Sequence, residues 1–338
     1  TVVVEKVVEK VVEVEKAAAV DPMVAAKEFL AGKKICSVLP GPVNDAGWTT
    51  QAYNGLVNLR DNFGMDILYR EETKVEEAES VLREFAESGC AIIHAHGFEY
   101  GDQIDAVAAE FPKIQFLQTS RCFGKEPNVI GHCYSTGEGG YFIGMMMSQL
   151  TKSGKTAWIV GTSYPNLSWQ PEMSRQAAKD LGKDIVIDEV PVGSWNDPAK
   201  AKELTKALIE QGYDTFVLLA DAGDTGTVEA IKEGRKAGKE IKAIAWVKDK
   251  NYLGPEFILG GWEEKAWKQM ENGAVAFAKK GSPLGVNMPQ GVMDGVAQLN
   301  PTYGLVPVEV EKQVFDLYHK YIKEGAGAIP NLKVRTDL

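Results

Sequence analysis

The chain has 338 residues, enough for about two domains and for a large apolar core that needs no metal or disulfide. With 44% apolar and 25% charged residues it has the composition of a folded globular protein, which excludes disorder as the main state. Its formal net charge of −10 argues against nucleic acid or anionic headgroups as partners.

Residues 1–16 are a low-complexity block of Val, Glu and Lys. The valine spacing would allow a short helix or a coiled-coil stalk, but Val is a poor helix former and we expect a tether instead. The chain begins at Thr1 with no signal-peptide pattern, so we expect that any signal or anchor was removed before this numbering starts. No apolar run approaches the ~18 residues of a membrane span.

Short runs rich in β-formers alternate with amphipathic stretches from Lys34 onward. In the first half the predicted strands are residues 34–40, 65–71, 90–96, 114–120 and 129–135. The predicted helices between them are residues 50–62, 74–88 and 101–111. This alternation indicates βαβ units and a parallel sheet.

The same pattern starts again after a predicted helix over residues 138–152. The predicted strands of this second half are residues 156–162, 184–193, 215–220, 241–247 and 257–262. The predicted helices between them are residues 171–181, 198–211 and 225–237. The last predicted elements are a long helix over 263–280, a short strand over 295–300 and a final helix over 308–324.

We therefore predict an α/β fold with two doubly wound parallel-sheet lobes joined by a multi-strand hinge. The predicted units are a leader and lead-in helix (1–32), a first lobe (33–152), a second lobe (153–262) and return segments (263–338). We expect the return segments to belong mainly to the first lobe, with a C-terminal helix and tail. Ligands of such sheets bind at the carboxyl ends of the strands, so the cleft between the lobes is the predicted site.

The four cysteines, Cys36, Cys90, Cys122 and Cys133, contain no CxxC pair, which argues against zinc or thioredoxin-like chemistry. We favour small buried hydrophobic residues on strands, and a disulfide within the set is the alternative.

Enzyme and cofactor motifs are incomplete. Residues 137–140 resemble the start of a GxGxxG fingerprint, but Phe142 stands where the third glycine is required. His94 and His96 point to one face of a predicted strand, and we expect a core histidine and one near the cleft rather than a metal pair. We predict no cofactor and no metal.

The loop over residues 40–51 leads from the first strand directly into a helix. Its candidates for ligand binding, at the carboxyl end of the strand, are Asn44, Asp45, Trp48, Thr49 and Thr50. Trp48 could instead close the loop over the core, and Asp45 could simply cap the turn.

The corresponding segment of the second half is residues 193–198, where Trp195 follows a strand and Asp197 begins a helix. Trp48 and Trp195 would then face one cleft from two lobes, and two indoles can close on a flat aromatic ligand with roughly 1–3 kcal/mol from each contact. The other candidates at strand ends are Phe98, Asp102, Asp221, Gly223, Trp246, Lys248 and Asp249. For each charged candidate alone, a solvated loop position is the alternative.

Five segments resemble the basic membrane protein family of ABC-transporter solute-binding proteins, which includes bacterial purine-nucleoside receptors. The segments are NDAGWTTQAYNGL (44–56), GFEYGDQIDAVAAEFPKIQF (97–116), EGGYFIGMMMSQLTKSGKTAWIVG (138–161), GSWNDPAKAKEL (193–204) and KDKNYLGP (248–255). The resemblance covers residues 33–325. It implies a type I periplasmic-binding-protein fold that closes on a purine nucleoside or base and delivers it to a membrane permease.

The resemblance also implies roles for individual residues. Trp48 and Trp195 match the family's ring-stacking aromatics, and Thr49 stands where relatives often have a base-reading Asn. Asp102 matches a base-contacting acid, and Gly223 falls in the ribose-side glycine loop. The leader resembles the spacer that follows a membrane anchor, which implies tethering to the outer surface.

Two positions depart from the family pattern. Val247 stands where nucleoside receptors have a ribose-gripping Asp, and Glu264 aligns with a ribose-side Lys. Unless Lys248 or Asp249 takes these roles, the sugar is held differently or is absent.

We therefore predict a non-enzymatic, extracytoplasmic receptor of an ABC importer that binds a purine nucleoside, such as adenosine or guanosine, or a nucleobase. One alternative keeps the fold but binds a sugar, an amino acid or another small aromatic solute. Another is a nucleoside-processing enzyme with Asp45 as its acid or base. The effector domain of a transcriptional regulator is a further alternative, but it would need a DNA-reading helix-turn-helix, and the leader is a Val repeat instead.

Overall fold

The computed structural model describes residues 21–45, 47–134 and 137–332, and residue 166 without its side chain. The predicted tether over residues 1–16 and the end of the predicted tail, residues 333–338, lie outside the described residues. The described chain forms two parallel sheets, each in its own lobe, and a small antiparallel pair. The predicted α/β class is confirmed.

The helices and strands of the described residues fall into three groups along the chain. The first group is α1 (Pro22–Leu30), β1 (Lys34–Val38), α2 (Trp48–Phe63), β2 (Asp66–Arg70), α3 (Val75–Glu87), β3 (Ile92–His96), α4 (Gly101–Glu110), β4 (Gln115–Thr119) and β5 (Val129–Tyr134). The second group is α5 (Gly137–Leu150), β6 (Lys155–Val160), α6 (Pro165–Asp180), β7 (Val186–Pro191), α7 (Pro198–Glu210), β8 (Thr215–Leu219), α8 (Asp224–Lys236), β9 (Lys242–Ala245) and β10 (Ile258–Leu259). The third group is β11 (Trp262–Glu264), α9 (Ala266–Lys280), β12 (Val286–Gln290), β13 (Ala297–Leu299) and α10 (Val308–Glu324).

Both large sheets are parallel throughout. The first has the strand order β12-β5-β4-β3-β1-β2, and the second has the order β10-β9-β8-β6-β7. The inner strands β3, β4, β5 and β8 are buried along their whole length, as expected for strands covered by helices on both faces. The order reverses beside β1 in one sheet and beside β6 in the other, which opens a crevice at the strand ends.

Amphipathic helices complete the core of each lobe. In α3, for example, Ala78, Leu82 and Phe85 recur on one face and are buried, while Glu76 and Glu77 lie in the first turn near the positive end of the helix dipole. Helices α3 and α4 cover one face of the first sheet, and α2 and α9 cover the other. The apolar residues that recur along these helices are therefore the ones buried against the sheet.

The chain passes between the lobes at three places within the described residues. It passes from β5 to α5, from β11 to α9, and from β12 to β13, and β11 pairs antiparallel with β13. Helix α9 packs on α1 and α2, whereas α10 packs on α5. The return segments are thus shared between the lobes: α9 and β12 join the first and α10 joins the second.

Two elements differ from their predicted bounds because of proline. Helix α6 begins at Pro165, so that Pro171, which resembled a helix start, lies inside the helix. Strand β12 was missed because it contains Pro289. It is tolerated there because β12 is the edge strand of its sheet.

All four cysteines are paired, which corrects the favoured interpretation of them as unpaired core residues. Cys36 of β1 bonds to Cys90, which precedes the neighbouring strand β3, and Cys122 bonds to Cys133 of β5. The Cα atoms of the pairs are 6.0 Å and 4.5 Å apart. Adjacent strands bring together cysteines that are far apart in the sequence. Each of the four cysteines is therefore both buried and disulfide-bonded.

Candidate functional site

A cavity of about 160 Å³ lies between the two lobes. Its first-lobe wall is made of residues that follow β1, β3 and β4, together with the last residue of β5. Its second-lobe wall is made of residues at the ends of β6, β7, β8 and β9, and Glu264 closes it at the end of β11. The cavity therefore occupies the carboxyl ends of the strands, where ligands of such sheets bind.

Asp45 organises the loop that opens α2. Its carboxylate accepts the backbone N–H groups of Gly47, Thr49 and Thr50 at 2.8, 2.8 and 3.0 Å, and also the Thr50 hydroxyl at 2.8 Å. Burial opposes ionisation, but these hydrogen bonds outweigh it and lower the pKa of Asp45. Asp45 thus caps the turn, and the capped loop directs Trp48 and Thr49 to the cavity wall.

Trp48 is held from behind by His96. The two rings are stacked, with centroids 4.2 Å apart and planes 24° apart. Nε2 of His96 lies 2.9 Å from the backbone oxygen of Trp48, and because a carbonyl can only accept, Nε2 carries the proton. The indole is partly buried and lines the cavity, so it is supported on one side and open to the cleft.

Trp195 lines the same cavity from the second lobe. A Cβ at Gly161 would lie 2.2 Å from Cε3 of Trp195, so the indole rests directly on the glycine backbone at the end of β6. The backbone oxygen of Trp195 accepts the N–H of Gly223 at 3.2 Å. Across the cleft, Phe98 and Tyr164 of opposite lobes have ring centroids 6.0 Å apart.

Three cavity residues other than glycine have left-handed backbone conformations. Ser120, Asp221 and Val247 follow β4, β8 and β9 with φ values of 67°, 50° and 71°. This region is disfavoured for side chains and most of all for a β-branched residue, at a cost of order 1–3 kcal/mol each. Such strain is concentrated at binding sites in proteins, and here it occurs where three strands, one from the first lobe and two from the second, reach the cleft.

The structure places six of the predicted site residues on the cavity wall and seven outside it. Those on the wall are Asp45, Trp48, Thr49, Phe98, Trp195 and Asp221. Those outside are Asn44, Thr50, Asp102, Gly223, Trp246, Lys248 and Asp249.

Three of the residues outside the wall are kept from the cavity by being buried in the core or exposed to solvent. Trp246 is fully buried, with Trp158 and Trp262 against its ring. Asn44 is exposed on the loop, and Asp102 is exposed on the first turn of α4. The structure therefore does not bring Trp246, Asn44 or Asp102 to this cavity wall.

The other residues outside the wall support its structure or lie beside it. The Thr50 hydroxyl is used by Asp45 and by the backbone oxygen of Val43, and Gly223 supports Trp195. Asp249 accepts hydrogen bonds from the Asn251 backbone and from the Tyr303 hydroxyl. Lys248 is half-buried away from the cavity.

Sequence reasoning did not propose several residues that line the cavity. They are Glu99, Ser120, Tyr134, Tyr164, Leu167, Gln170, Asn196, Leu219, Val247 and Glu264, together with the loop residues Pro40, Gly41, Pro42 and Gly97. Most directly follow a predicted strand, so the strand-end rule could have found them. Gln170 was missed because the start of α6 was placed six residues too late. The sequence distinguishes Val247 and Glu264 only as departures from the family pattern.

The two lobes, the three passages between them and the cleft at the strand ends define a two-lobed fold of the periplasmic-binding-protein type. A family model described as "Bmp: ABC transporter substrate-binding protein PnrA-like" matches residues 32–331. The chain belongs to this family, and the resemblance seen in the sequence is confirmed.

Known proteins share low identity over most of the chain. The transcriptional activator protein med of Bacillus subtilis (strain 168) is 27% identical over 296 residues, which cover 87% of this chain and 90% of that protein. A purine-binding protein of Brucella abortus (strain 2308) is 26% identical over 281 residues, 77% of each chain. The crystal structure of an ABC transporter solute-binding protein from Aeropyrum pernix K1 has a TM-score of 0.72 at 18% identity and covers 89% of this chain and 90% of that one.

The family and the fold are those of solute-binding proteins, which bind a small molecule and pass it to a membrane permease. Substrate-binding proteins of ABC importers act outside the cytoplasm. Among the helices that the structure describes, none is long and apolar enough to cross a bilayer.

Proposed function

We propose that this protein is the solute-binding component of an ABC importer that captures a purine nucleoside or a purine base. The observation that carries the proposal is that Trp48 and Trp195, from opposite lobes, line one cavity. A planar ring between two indoles would gain roughly 1–3 kcal/mol from each stacking contact. The name of the purine-binding relative from Brucella abortus supports the same ligand class.

Polar groups around the tryptophans would select the ring. Thr49, Gln170 and Asn196 line the cavity and offer uncharged donors and acceptors to the edge of a base. A wrong ring would leave some of these groups desolvated and unpaired, at about 1–3 kcal/mol for each buried group. Closure follows from the same contacts, because a ligand that touches both lobes favours the closed state by its differential affinity.

We propose binding without chemical conversion. Asp45, the residue considered as the acid or base of an enzyme, is occupied by four hydrogen bonds from the start of α2. Its lowered pKa also makes it a poor proton donor near neutral pH. We further propose an extracytoplasmic, membrane-tethered location beside the permease, which two disulfides support because they persist in oxidising compartments.

A thermal-shift comparison tests this proposal. Purine bases, adenosine, guanosine, sugars and amino acids are added separately, and a ligand at a hundred times its Kd stabilises the native protein by about 2.7 kcal/mol. We expect the melting temperature to rise with a purine and not with the other solutes. A rise with a sugar or an amino acid and with no purine would contradict the proposal. Release of free base from adenosine on incubation would contradict the non-enzymatic part.

A further inference from the structure

The wall of the cavity is acidic. Four carboxyl side chains line it, those of Asp45, Glu99, Asp221 and Glu264, and none of the described residues on the wall is Lys, Arg or His. Asp45 is already satisfied by the start of α2. The carboxyls of Asp221 and Glu264 differ, because among the described residues only the indole N–H of Trp246, beside Glu264, is a donor close to either of them. They therefore leave acceptor capacity directed at whatever fills the cleft.

Asp221 and Glu264 form the floor of the cavity. Glu264 is only 6% exposed and stands where β11 leads back to the first lobe, with its N–H bonded to the oxygen of Val247 at 2.9 Å. Asp221 reaches across to the first lobe, where a Cβ on Gly47 would lie 3.1 Å from its Oδ1. The two acids come from different segments, line the same cavity as Trp48, and are near enough for Asp221 to raise the pKa of Glu264.

The surroundings of the floor do not neutralise it. Asp221 is faced by Asp45, Asp224 and Lys250, but Lys250 is already committed to Asp224 and to the oxygen of Leu218. Burial, together with Asp224 and Asp45 and against the attraction of Lys250, raises the pKa of Asp221 to about 7.

The groups around Glu264 do not neutralise its charge either. Tyr134 and Asp221 face it, and the indole N–H of Trp246 is the one described donor beside its carboxylate and lowers its pKa. Burial still raises the pKa of Glu264 to about 8. A buried Glu264 next to a partly buried Asp221 is costly to ionise, since the only described cation facing either acid is Lys250, which is bonded to Asp224; a bound cation would supply the missing charge.

We propose that the floor formed by Asp221 and Glu264 is a subsite for a positively charged amino group, so that the cleft favours amine-bearing ligands over neutral ones and rejects anionic ones. This inference rests on the proposed function, in which the ring of the ligand is held between Trp48 and Trp195, an arrangement that we call the aromatic clamp. A phosphate or carboxylate at the floor would meet like charge as soon as either acid loses its proton, and would keep both acids in their neutral form. An ammonium would instead form charge-assisted hydrogen bonds to both acids.

Isothermal titration with a matched ligand series tests the charge preference. The probes are adenosine, its 3′-amino-3′-deoxy and 5′-amino-5′-deoxy analogues, and adenosine 5′-monophosphate. We expect one of the amines to bind at least about tenfold more tightly than adenosine at pH 7, and the monophosphate to bind more weakly than adenosine. Amine affinity should rise from pH 6 to pH 8, because both acids must lose their protons to pair with the ammonium.

Two variants and one control locate the effect. Glu264→Gln should reduce the amine preference to less than about threefold, and Asp221→Asn provides a second test if the first variant is unstable. Glu263→Gln is the matched control, because Glu263 is the preceding residue, bonds to Gln298 and lies outside the cavity. The control should keep the full preference. A preference that survives both floor variants would overturn the proposal.

The outcomes separate this inference from the proposed function. If adenosine binds and neither amine binds more tightly, the charged subsite is wrong and the purine proposal stands. If no purine ligand binds, the purine proposal is wrong, and tryptamine against indole-3-acetate then decides the charge preference. Tighter binding of tryptamine that is lost in Glu264→Gln supports the subsite, and equal or absent binding of tryptamine overturns it.

Discussion

The indole of Trp48 rests on the imidazole of His96, and the backbone of the same tryptophan is hydrogen-bonded to that imidazole. The ring centroids are 4.2 Å apart, and Nε2 of His96 donates to the Trp48 oxygen at 2.9 Å. His96 lies at the end of an inner strand, and its position is therefore as rigid as the sheet. One side chain thus fixes both the plane and the backbone of the aromatic wall.

The first prediction concerns the charge of His96. Burial, against the pull of the Trp48 carbonyl and Asp45, lowers its pKa from 6.5 to about 4. Between these values the unfolded chain binds a proton that the folded chain does not, so the stability from neutral His96 is complete above pH 6.5 and is lost as the pH falls toward 4. The loss at pH 5 should be about 2 kcal/mol.

Urea unfolding at pH 7 and pH 5 measures this loss. The His96→Phe variant keeps an aromatic ring under Trp48 but cannot titrate, so its stability should fall by about 2 kcal/mol less than that of the wild type. His319→Phe is the control, because His319 is exposed on α10, and it should behave as the wild type does. Equal pH dependence in wild type and His96→Phe would refute the prediction.

The second prediction concerns the glycine beneath Trp195. In Gly161→Ala the new methyl group would lie 2.2 Å from the indole, so the ring must leave its position. We expect purine affinity to fall by roughly 1–3 kcal/mol, the value of one stacking contact. Gly327→Ala, where a Cβ meets open space, is the control and should leave affinity unchanged.

A double-mutant cycle by isothermal titration distinguishes this from a general disturbance. If Gly161 acts only through the indole, Gly161→Ala should cost nothing further in a Trp195→Ala background. Full additivity of the two losses would mean that the glycine matters for another reason.

The third prediction ranks the two disulfides. Cys36 and Cys90 are 54 positions apart and Cys122 and Cys133 are 11 apart, and the longer loop constrains the unfolded chain more. Replacing the first pair with serines should cost about 4 kcal/mol of unfolding free energy, and replacing the second about 3 kcal/mol. Denaturant unfolding of the two double variants checks the order. A larger loss for the second pair would contradict the loop argument.

The sequence predicts the sheets and the position of the cleft well, because burial periodicity and strand ends are local properties. It places individual side chains less well. Trp246 and Val247 are neighbours, yet only the second lines the cleft, because the chain leaves β9 before them and the left-handed backbone at Val247 redirects it. A short turn over Phe98–Tyr100 similarly brings Glu99 to the wall and leaves Asp102 in solvent.

Pairing across strands is the other property that local patterns miss. The bond between Cys36 and Cys90 depends on β1 lying beside β3, which follows from the strand order and not from either residue's neighbours. Glu264 shows the same limit, because it reaches the cleft only through the passage from β11 to α9. Contacts made by segments distant in sequence require the topology first.

The most direct test of the account is the purine affinity of Trp48→Ala and Trp195→Ala, measured by isothermal titration against the wild type. Trp267→Ala is the control, since Trp267 is a partly buried tryptophan of α9 outside the cavity. We predict that each cavity variant loses roughly 1–3 kcal/mol of binding free energy and that the control loses none. Unchanged affinity in both cavity variants would contradict the clamp and, with it, the proposed ligand.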